Sequence, residues 1–158
     1  MRAVLISIQA EHNANIEKGL KKSELRTRAP KLQTPFKVYT YESGLNGRHK
    51  VVNEWICRDI TTWLMYMGLP AHLSKVACVS NEYIWDYCAK GHKNIDEMHI
   101  SDLVIYDEPK GLHHFFKPCG DCDKKGTIRC TEESTYCRAK VITRPPQSWC
   151  YVEERSEI

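Results

Sequence analysis

Residues 19–28, GLKKSELRTR, are the stretch that most narrows the fold of this chain. A glycine begins it, and one carboxylate, Glu24, lies among four cationic side chains. Gly19 favours a chain reversal after a helix, because glycine readily adopts the left-handed backbone conformation that ends many helices. An extended strand over residues 22–28 then points successive side chains to opposite faces. This alternation predicts one charged face of Lys22, Glu24, Arg26 and Arg28 and an opposite face of Ser23, Leu25 and Thr27.

Short apolar and β-branched runs around this stretch predict an α+β fold. Residues 3–8, AVLISI, predict a buried strand, and the following residues predict a short helix that ends at Gly19. Residues 80–91 predict a second helix with Ser80 as its N-cap. Further strands are predicted over residues 36–43, 49–60, 100–109 and 148–154. Five to six strands with one or two helices indicate a small closed or nearly closed β-barrel with flanking helices.

The length and the absence of targeting patterns predict one soluble domain. The chain has 158 residues, which suits a single core, and no repeat or linker divides residues 1–158. Its first residues contain a short apolar run broken by Gln9 and Glu11, unlike a signal peptide. No stretch approaches the roughly 20 apolar residues that span a bilayer. We therefore expect a cytoplasmic protein with no membrane partner, whose cysteines are thiols or metal ligands rather than disulfides.

Positive charge is concentrated in one part of the chain. The formal net charge is only +3, yet residues 18–50 contain nine Lys or Arg against two Glu. A basic stretch of this kind most simply forms a solvated face. Charge alone therefore does not identify a nucleic-acid-binding protein, and further features are needed.

The pattern of Gly19, Lys21, Glu24 and Arg26 after a helix resembles the signature of the ASCH family, Gly-x-Lys-x-x-Glu-x-Arg, within the PUA-like β-barrel superfamily. The later segments HISDLVIYDEPK and TRPPQSWCYVEE resemble those of its phage and prophage members. The resemblance covers most of the chain apart from the cysteine-bearing segment 119–137. It implies a PUA-like barrel and an interaction with RNA.

The resemblance also implies a basic cleft at one end of the barrel that binds single-stranded RNA or a nucleotide. Nearby cations favour an ionised Glu24, and Arg26 offers planar donors for a phosphate or a base edge. Trp63 follows a predicted strand end and Arg144 precedes the last strand, so both are candidates for the cleft. A surface ladder of ion pairs is the alternative explanation of the charges. The candidate nucleic-acid-binding residues are Lys21, Lys22, Glu24, Arg26, Arg28, Trp63 and Arg144.

Two other functional classes stay open. One enzymatic branch of the family removes the acetyl group from acetylated cytidine with a lysine, a threonine nucleophile and a glutamate; Lys21 matches the lysine, but Glu24 occupies the threonine position. In a ribonuclease, Glu24 would be the base and Lys21 or Arg26 would stabilise the phosphorane. Lys21 and Glu24 are thus the candidate catalytic residues of an enzyme acting on RNA or a modified nucleoside. The third class is a phage accessory protein that binds another protein.

A cysteine-rich segment predicts a bound metal ion. A C-x2-C pair and two further cysteines fall within residues 119–137, a spacing that allows four thiolates to surround one ion. His113 or His114 is an alternative to one of the cysteines. Four thiolates leave no open position for water, so we expect a structural zinc ion that orders this insertion. The predicted ligands are Cys119, Cys122, Cys130 and Cys137.

Overall fold

The computed structural model describes residues 2–118 and 140–154. Its helices are α1 (Ala10–Glu17), α2 (Leu73–Ala77) and α3 (Asn81–Cys88), and short 3-10 turns cover Met65–Met67 and Leu112–His114. The strands are β1 (Ala3–Gln9), β2 (Ser23–Arg26), β3 (Phe36–Ser43), β4 (Val51–Leu64), β5 (Asn94–Lys110), β6 (Phe115–Lys117), β7 (Lys140–Val141) and β8 (Trp149–Glu154).

The strands form one sheet, and its extent corrects the predicted barrel. The described residues contribute eight strands in the order β2-β5-β4-β3-β1-β8-β6-β7 and three helices, rather than five to six strands with one or two helices. Within these residues the sheet is open, with β2 and β7 at its edges. The α+β class is confirmed. The elements that the sequence does not predict are short. Strands β6 and β7 have three and two residues and α2 has five, too few for a clear periodic pattern.

Within the described sheet, edge strand β2 does not pair with β1 or β8 through the backbone. Hydrogen bonds from side chains connect it and the residues that follow it to both. The Arg26 guanidinium donates from Nη2 to the Ser7 carbonyl in β1 over 2.8 Å, and from Nη1 to Ser148 Oγ over 3.2 Å. The indole of Trp149 in β8 donates to the Arg28 carbonyl over 2.7 Å. The register between β4 and β5 shifts at three places, and bulges of this kind bend a sheet.

Strand β1 lies in the interior of the sheet and is buried on both faces. It pairs in parallel with β3 and antiparallel with β8. Val4 and Ile6 pack into a core cluster with Trp55, whereas Leu5 packs on the other face with Tyr39. Burial on both faces explains why residues 3–8 form a continuous apolar run instead of an alternating one.

Helices α2 and α3 cover a separate apolar cluster beside β2. Leu73, Ile84 and Ile95 are at most 1% exposed there, and Leu25 packs against them. Within residues 2–118 and 140–154, no helix combines the length and the apolar character that crossing a membrane requires.

Candidate functional site

A cavity of about 210 Å³ lies where β1, β2 and α3 meet. We call it the central cavity. Lys21, Glu24 and Arg26 line it from the motif, and Tyr83 and Tyr87 line it from α3. The three charged residues are 4%, 6% and 9% exposed, so the predicted motif forms a buried polar group rather than a surface ladder.

Glu24 is the centre of this group. Its Oε2 lies 3.2 Å from Lys21 Nζ, and its Oε1 lies 2.9 Å from Arg26 Nη2. Burial acts to raise the pKa of Glu24, but the adjacent charges of Lys21 and Arg26 outweigh that effect and hold the pKa below its ordinary value. Glu24 is therefore a carboxylate that accepts hydrogen bonds at neutral pH.

The turn after α1 places Lys21. Gly19 has φ +70°, the left-handed conformation that the sequence predicts, and the backbone N–H groups of Leu20 and Lys21 both donate to the Asn15 carbonyl. The chain then enters β2 at Ser23. Lys21 Nζ also donates to the carbonyl of Ala77 at the end of α2, over 2.9 Å. The ammonium is thus fixed between a carboxylate and a helix end.

Arg26 has a donor that the described residues leave unused. Its two Nη atoms bond Glu24, the Ser7 carbonyl and Ser148, but its buried Nε has no partner among residues 2–118 and 140–154. A buried N–H without an acceptor is destabilising and rare in folded proteins. Arg26 lines the central cavity, but this nitrogen itself is buried below the cavity surface.

Aromatic rings on α3 form the opposite side of the cavity. Ser80 caps this helix as predicted, accepting from the Tyr83 N–H over 3.1 Å. Tyr83 and Tyr87 are nearly parallel, with ring centroids 6.4 Å apart and an interplanar angle of 12°. The Tyr83 hydroxyl lies 3.5 Å from Nε2 of His12 in α1. The spacing of the tyrosines predicts their shared face, whereas no motif in the sequence indicates His12.

The other predicted nucleic-acid-binding residues lie elsewhere. Lys22 and Arg28 are exposed. Both lie outside β2, which covers only Ser23–Arg26 instead of the predicted residues 22–28. Trp63 is not among the described residues that line the central cavity; its indole donates to Glu97 over 2.9 Å. Arg144 is exposed in the bend before β8.

The predicted zinc ligands lie outside the described residues. They are Cys119, Cys122, Cys130 and Cys137, within the segment 119–137. Zinc therefore stays a prediction from the sequence. Among residues 2–118 and 140–154, no group of three His, Cys, Asp or Glu side chains is arranged to hold a metal ion.

A second polar group surrounds Glu97 on β5, on the face of the sheet opposite Glu24. Glu97 is 1% exposed and accepts from Ser23 Oγ over 2.8 Å and from the Trp63 indole. His72 Nε2 and His99 Nδ1 lie 3.5 and 3.9 Å from its oxygens. We call these five residues the Glu97 cluster. Burial acts to raise the pKa of Glu97, but the hydrogen bonds from Trp63 and Ser23 outweigh it and lower the pKa.

Ion pairs within the protein involve four of the nine cations of the basic stretch. Of its nine cations, Lys21 and Arg26 pair with Glu24, Lys37 pairs with Glu54, and Arg48 pairs with Glu17 and Glu42. The exposed remainder comprises Lys18, Lys22, Arg28, Lys31 and Lys50. Four of the nine cations therefore belong to ion pairs within the fold, and the other five are exposed.

The structure resembles solved ASCH proteins. No protein-family model matches the sequence, and no curated protein matches it. The crystal structure of ASCH from Zymomonas mobilis superposes with a TM-score of 0.66 at 18% identity, covering 96% of this chain and 87% of that chain. A serine-to-alanine mutant of the Zymomonas mobilis protein superposes with a TM-score of 0.67 at 18% identity, covering 96% of this chain and 88% of that chain. A tyrosine-to-phenylalanine mutant superposes with a TM-score of 0.65 at 19% identity, covering 96% of this chain and 90% of that chain. The likeness to ASCH structures implied by the motif is thus confirmed at the level of the α+β fold, whereas the phage or prophage link stays a prediction.

Proposed function

We propose that this chain, which has the fold of ASCH proteins, binds a single nucleotide in the central cavity, either free or as part of single-stranded RNA. The observation that supports this function is the buried group of Lys21, Glu24 and Arg26, which lines a cavity beside two aromatic rings. RNA interaction is also what the family resemblance implies.

The chemistry of the cavity matches a nucleobase. The Glu24 carboxylate accepts from an exocyclic amine or a ring N–H, and the Arg26 guanidinium donates to a carbonyl, a ring nitrogen or a phosphate oxygen. Tyrosine rings stack on bases of any sequence. A volume of about 210 Å³ is below the roughly 300–1,000 Å³ typical of drug-sized ligands, which favours one base or nucleoside over a longer segment.

The electrostatics favour recognition without turnover. An effective general base has a pKa near the working pH, whereas the pKa of Glu24 is lowered. The hydroxyl next to Glu24 in the sequence, that of Ser23, faces the other side of the sheet and donates to Glu97. An enzyme acting on RNA or a modified nucleoside is the competing function, and a protein-binding module fits less well because the site is a polar cavity.

Binding is tested by calorimetric titration of the purified protein with the common ribonucleosides and their 5′-monophosphates. We expect at least one of them to bind. The variant Arg26→Lys keeps the charge but loses Nε and the planar donors, and we expect affinity to fall by about tenfold or more. Arg28→Lys is the matched control, since Arg28 is exposed two residues away, and its affinity stays within about twofold of the parent. Absence of binding by the parent protein contradicts the proposal, as does equal affinity in the two variants.

Turnover is measured on the same preparation. The protein is incubated with single-stranded RNA and a set of modified nucleosides, and the mixture is analysed by mass spectrometry beside Glu24→Gln. We expect an unchanged mixture. Products that form with the parent protein but not with Glu24→Gln establish the enzymatic alternative and identify the bond that is cleaved.

A further inference from the structure

A second cavity, of about 280 Å³, adjoins the central one between α1 and the turn that connects α2 to α3. We call it the side cavity. The two cavities share His12, Val79 and Tyr83 among their lining residues. We propose that the side cavity is a second subsite, which holds the adjacent nucleotide of a single-stranded RNA whose first nucleotide occupies the central cavity. This inference rests on the proposed function and specifies its ligand as a strand rather than a free nucleoside.

The boundary between the cavities has donors suited to the linking phosphodiester. The rings of His12 and Tyr83 meet edge to face, with centroids 5.7 Å apart, and His12 Nε2 lies 3.5 Å from the Tyr83 hydroxyl. A strand with one nucleotide in each cavity passes its phosphodiester over this pair. Both the imidazole and the phenol donate hydrogen bonds to phosphate oxygens.

The chemistry of the side cavity itself fits a ribose and a base. Its polar lining includes the Glu11 carboxylate, the Asn15 amide and the Ser80 hydroxyl, and its described lining residues include no Lys or Arg. Such groups bond sugar hydroxyls and base edges, and a carboxylate accepts from a ribose 2′-hydroxyl. Tyr83 is 48% exposed, which leaves ring surface for stacking.

The two cavities set the length of the bound strand. They adjoin at three shared lining residues, and none of the exposed cations of residues 18–50 is among the described lining residues of either cavity. Two adjoining subsites joined by one polar boundary therefore account for the strand without a long electrostatic groove. The recognised unit is a dinucleotide step.

The test is a calorimetric comparison of ribonucleosides with ribodinucleoside monophosphates on the full chain. We expect a dinucleotide to bind about tenfold or more tightly than its component nucleosides, because a second base stacks in the side cavity. Asn15→Tyr fills the side cavity without altering a residue of the central one, and we expect it to remove the gain while nucleoside binding is kept. Glu11→Tyr is a second filling variant, at a side chain that is 75% exposed and therefore tolerant of change. Lys18→Tyr, at the end of the same helix, is the matched control and keeps the gain.

The outcomes separate the two proposals. Nucleoside binding without a dinucleotide gain overturns the side-cavity subsite and leaves the proposed function intact. A gain that survives in both folded filling variants, as judged by unchanged melting temperatures, also overturns the subsite. If neither nucleoside nor dinucleotide binds, the proposed function and the subsite are both overturned.

Discussion

Glu24 and Glu97 are buried carboxylates on adjacent strands, and their surroundings differ in kind. Glu24 is held by two permanent cations, Lys21 and Arg26, beside a cavity. Glu97 is held by the neutral donors of Ser23 and Trp63, with histidines at its edge. Glu97 is not among the described residues that line either cavity. A buried acid is thus not in itself evidence of a binding site; the proposed function depends on the cavity beside the Glu24 ion pairs.

The sharpest test of this comparison removes the buried cation from Glu24. In Lys21→Met, the carboxylate keeps only Arg26 as a charged partner, and the Ala77 carbonyl loses its donor. We expect the free energy of unfolding to fall by about 3 kcal/mol, since breaking a buried ion pair leaves poorly compensated charge. Chemical denaturation measures the change. Lys22→Met is the adjacent exposed control, with a change within about 0.5 kcal/mol. Equal losses in both variants contradict the assignment of Lys21 to the buried group.

The next test separates stability from binding at Glu97. In Glu97→Gln, the amide oxygen still accepts from the Trp63 indole, and the amide N–H donates to the Ser23 hydroxyl, which reverses its role, so two charge-assisted hydrogen bonds become neutral ones. We expect a loss of about 2 kcal/mol in the free energy of unfolding, because hydrogen bonds to a charged group are stronger than neutral ones. Nucleotide affinity, measured by titration, stays within about twofold of the parent. A tenfold loss of affinity in a fully folded variant shows instead that the Glu97 cluster belongs to the binding site.

The smallest expected effect is the response to acid. The pKa values of both Glu24 and Glu97 are lowered from the ordinary 4.5, so their contribution to stability is present above that pH and is lost as the pH falls through the folded-state values. Each carboxylate contributes a slope of at most about 1.4 kcal/mol per pH unit in that range. Denaturation between pH 6 and pH 3 measures it, with Glu24→Gln and Glu97→Gln each flattening the profile. A profile that neither variant changes contradicts the ionised state of both groups.

Local sequence patterns predict the regular elements where burial follows a simple period. The apolar residues 3–8 predict β1, and Ser80 correctly marks the start of α3. Residues 100–109 predict only the later part of β5, which in fact begins at Asn94. Its first half includes Asp96 and Glu97. Polar residues of this kind break the apolar pattern from which a buried strand is predicted, because the partners that allow their burial lie on other strands. The pairing that buries Glu97 is a property of the assembled sheet.

The motif predicts the centre of the site but not its surroundings. Lys21, Glu24 and Arg26 meet as the motif implies, because the turn at Gly19 and the start of β2 are local features. The residues of α1 and α3 reach the cavity only through the packing of these helices. No local sequence pattern therefore predicts that His12 lines the cavity. Trp63 fails as a candidate for the central cavity because its strand position faces Glu97.

The position of β1 has a consequence for how the protein is made in a cell. Of the described strands, β1 is synthesised before the others, yet one of its two neighbours, β8, is synthesised after them. The hydrogen bond from Arg26 to Ser148 likewise forms only after a residue 122 positions further along the chain has been synthesised. Pairings at such separations form slowly, and until then an apolar strand edge is open to pairing with other chains. The hydrogen bonds of Arg26 beside the central cavity are therefore completed only after the segment before β8 has been synthesised, and chaperone binding during synthesis would protect the edge of β1.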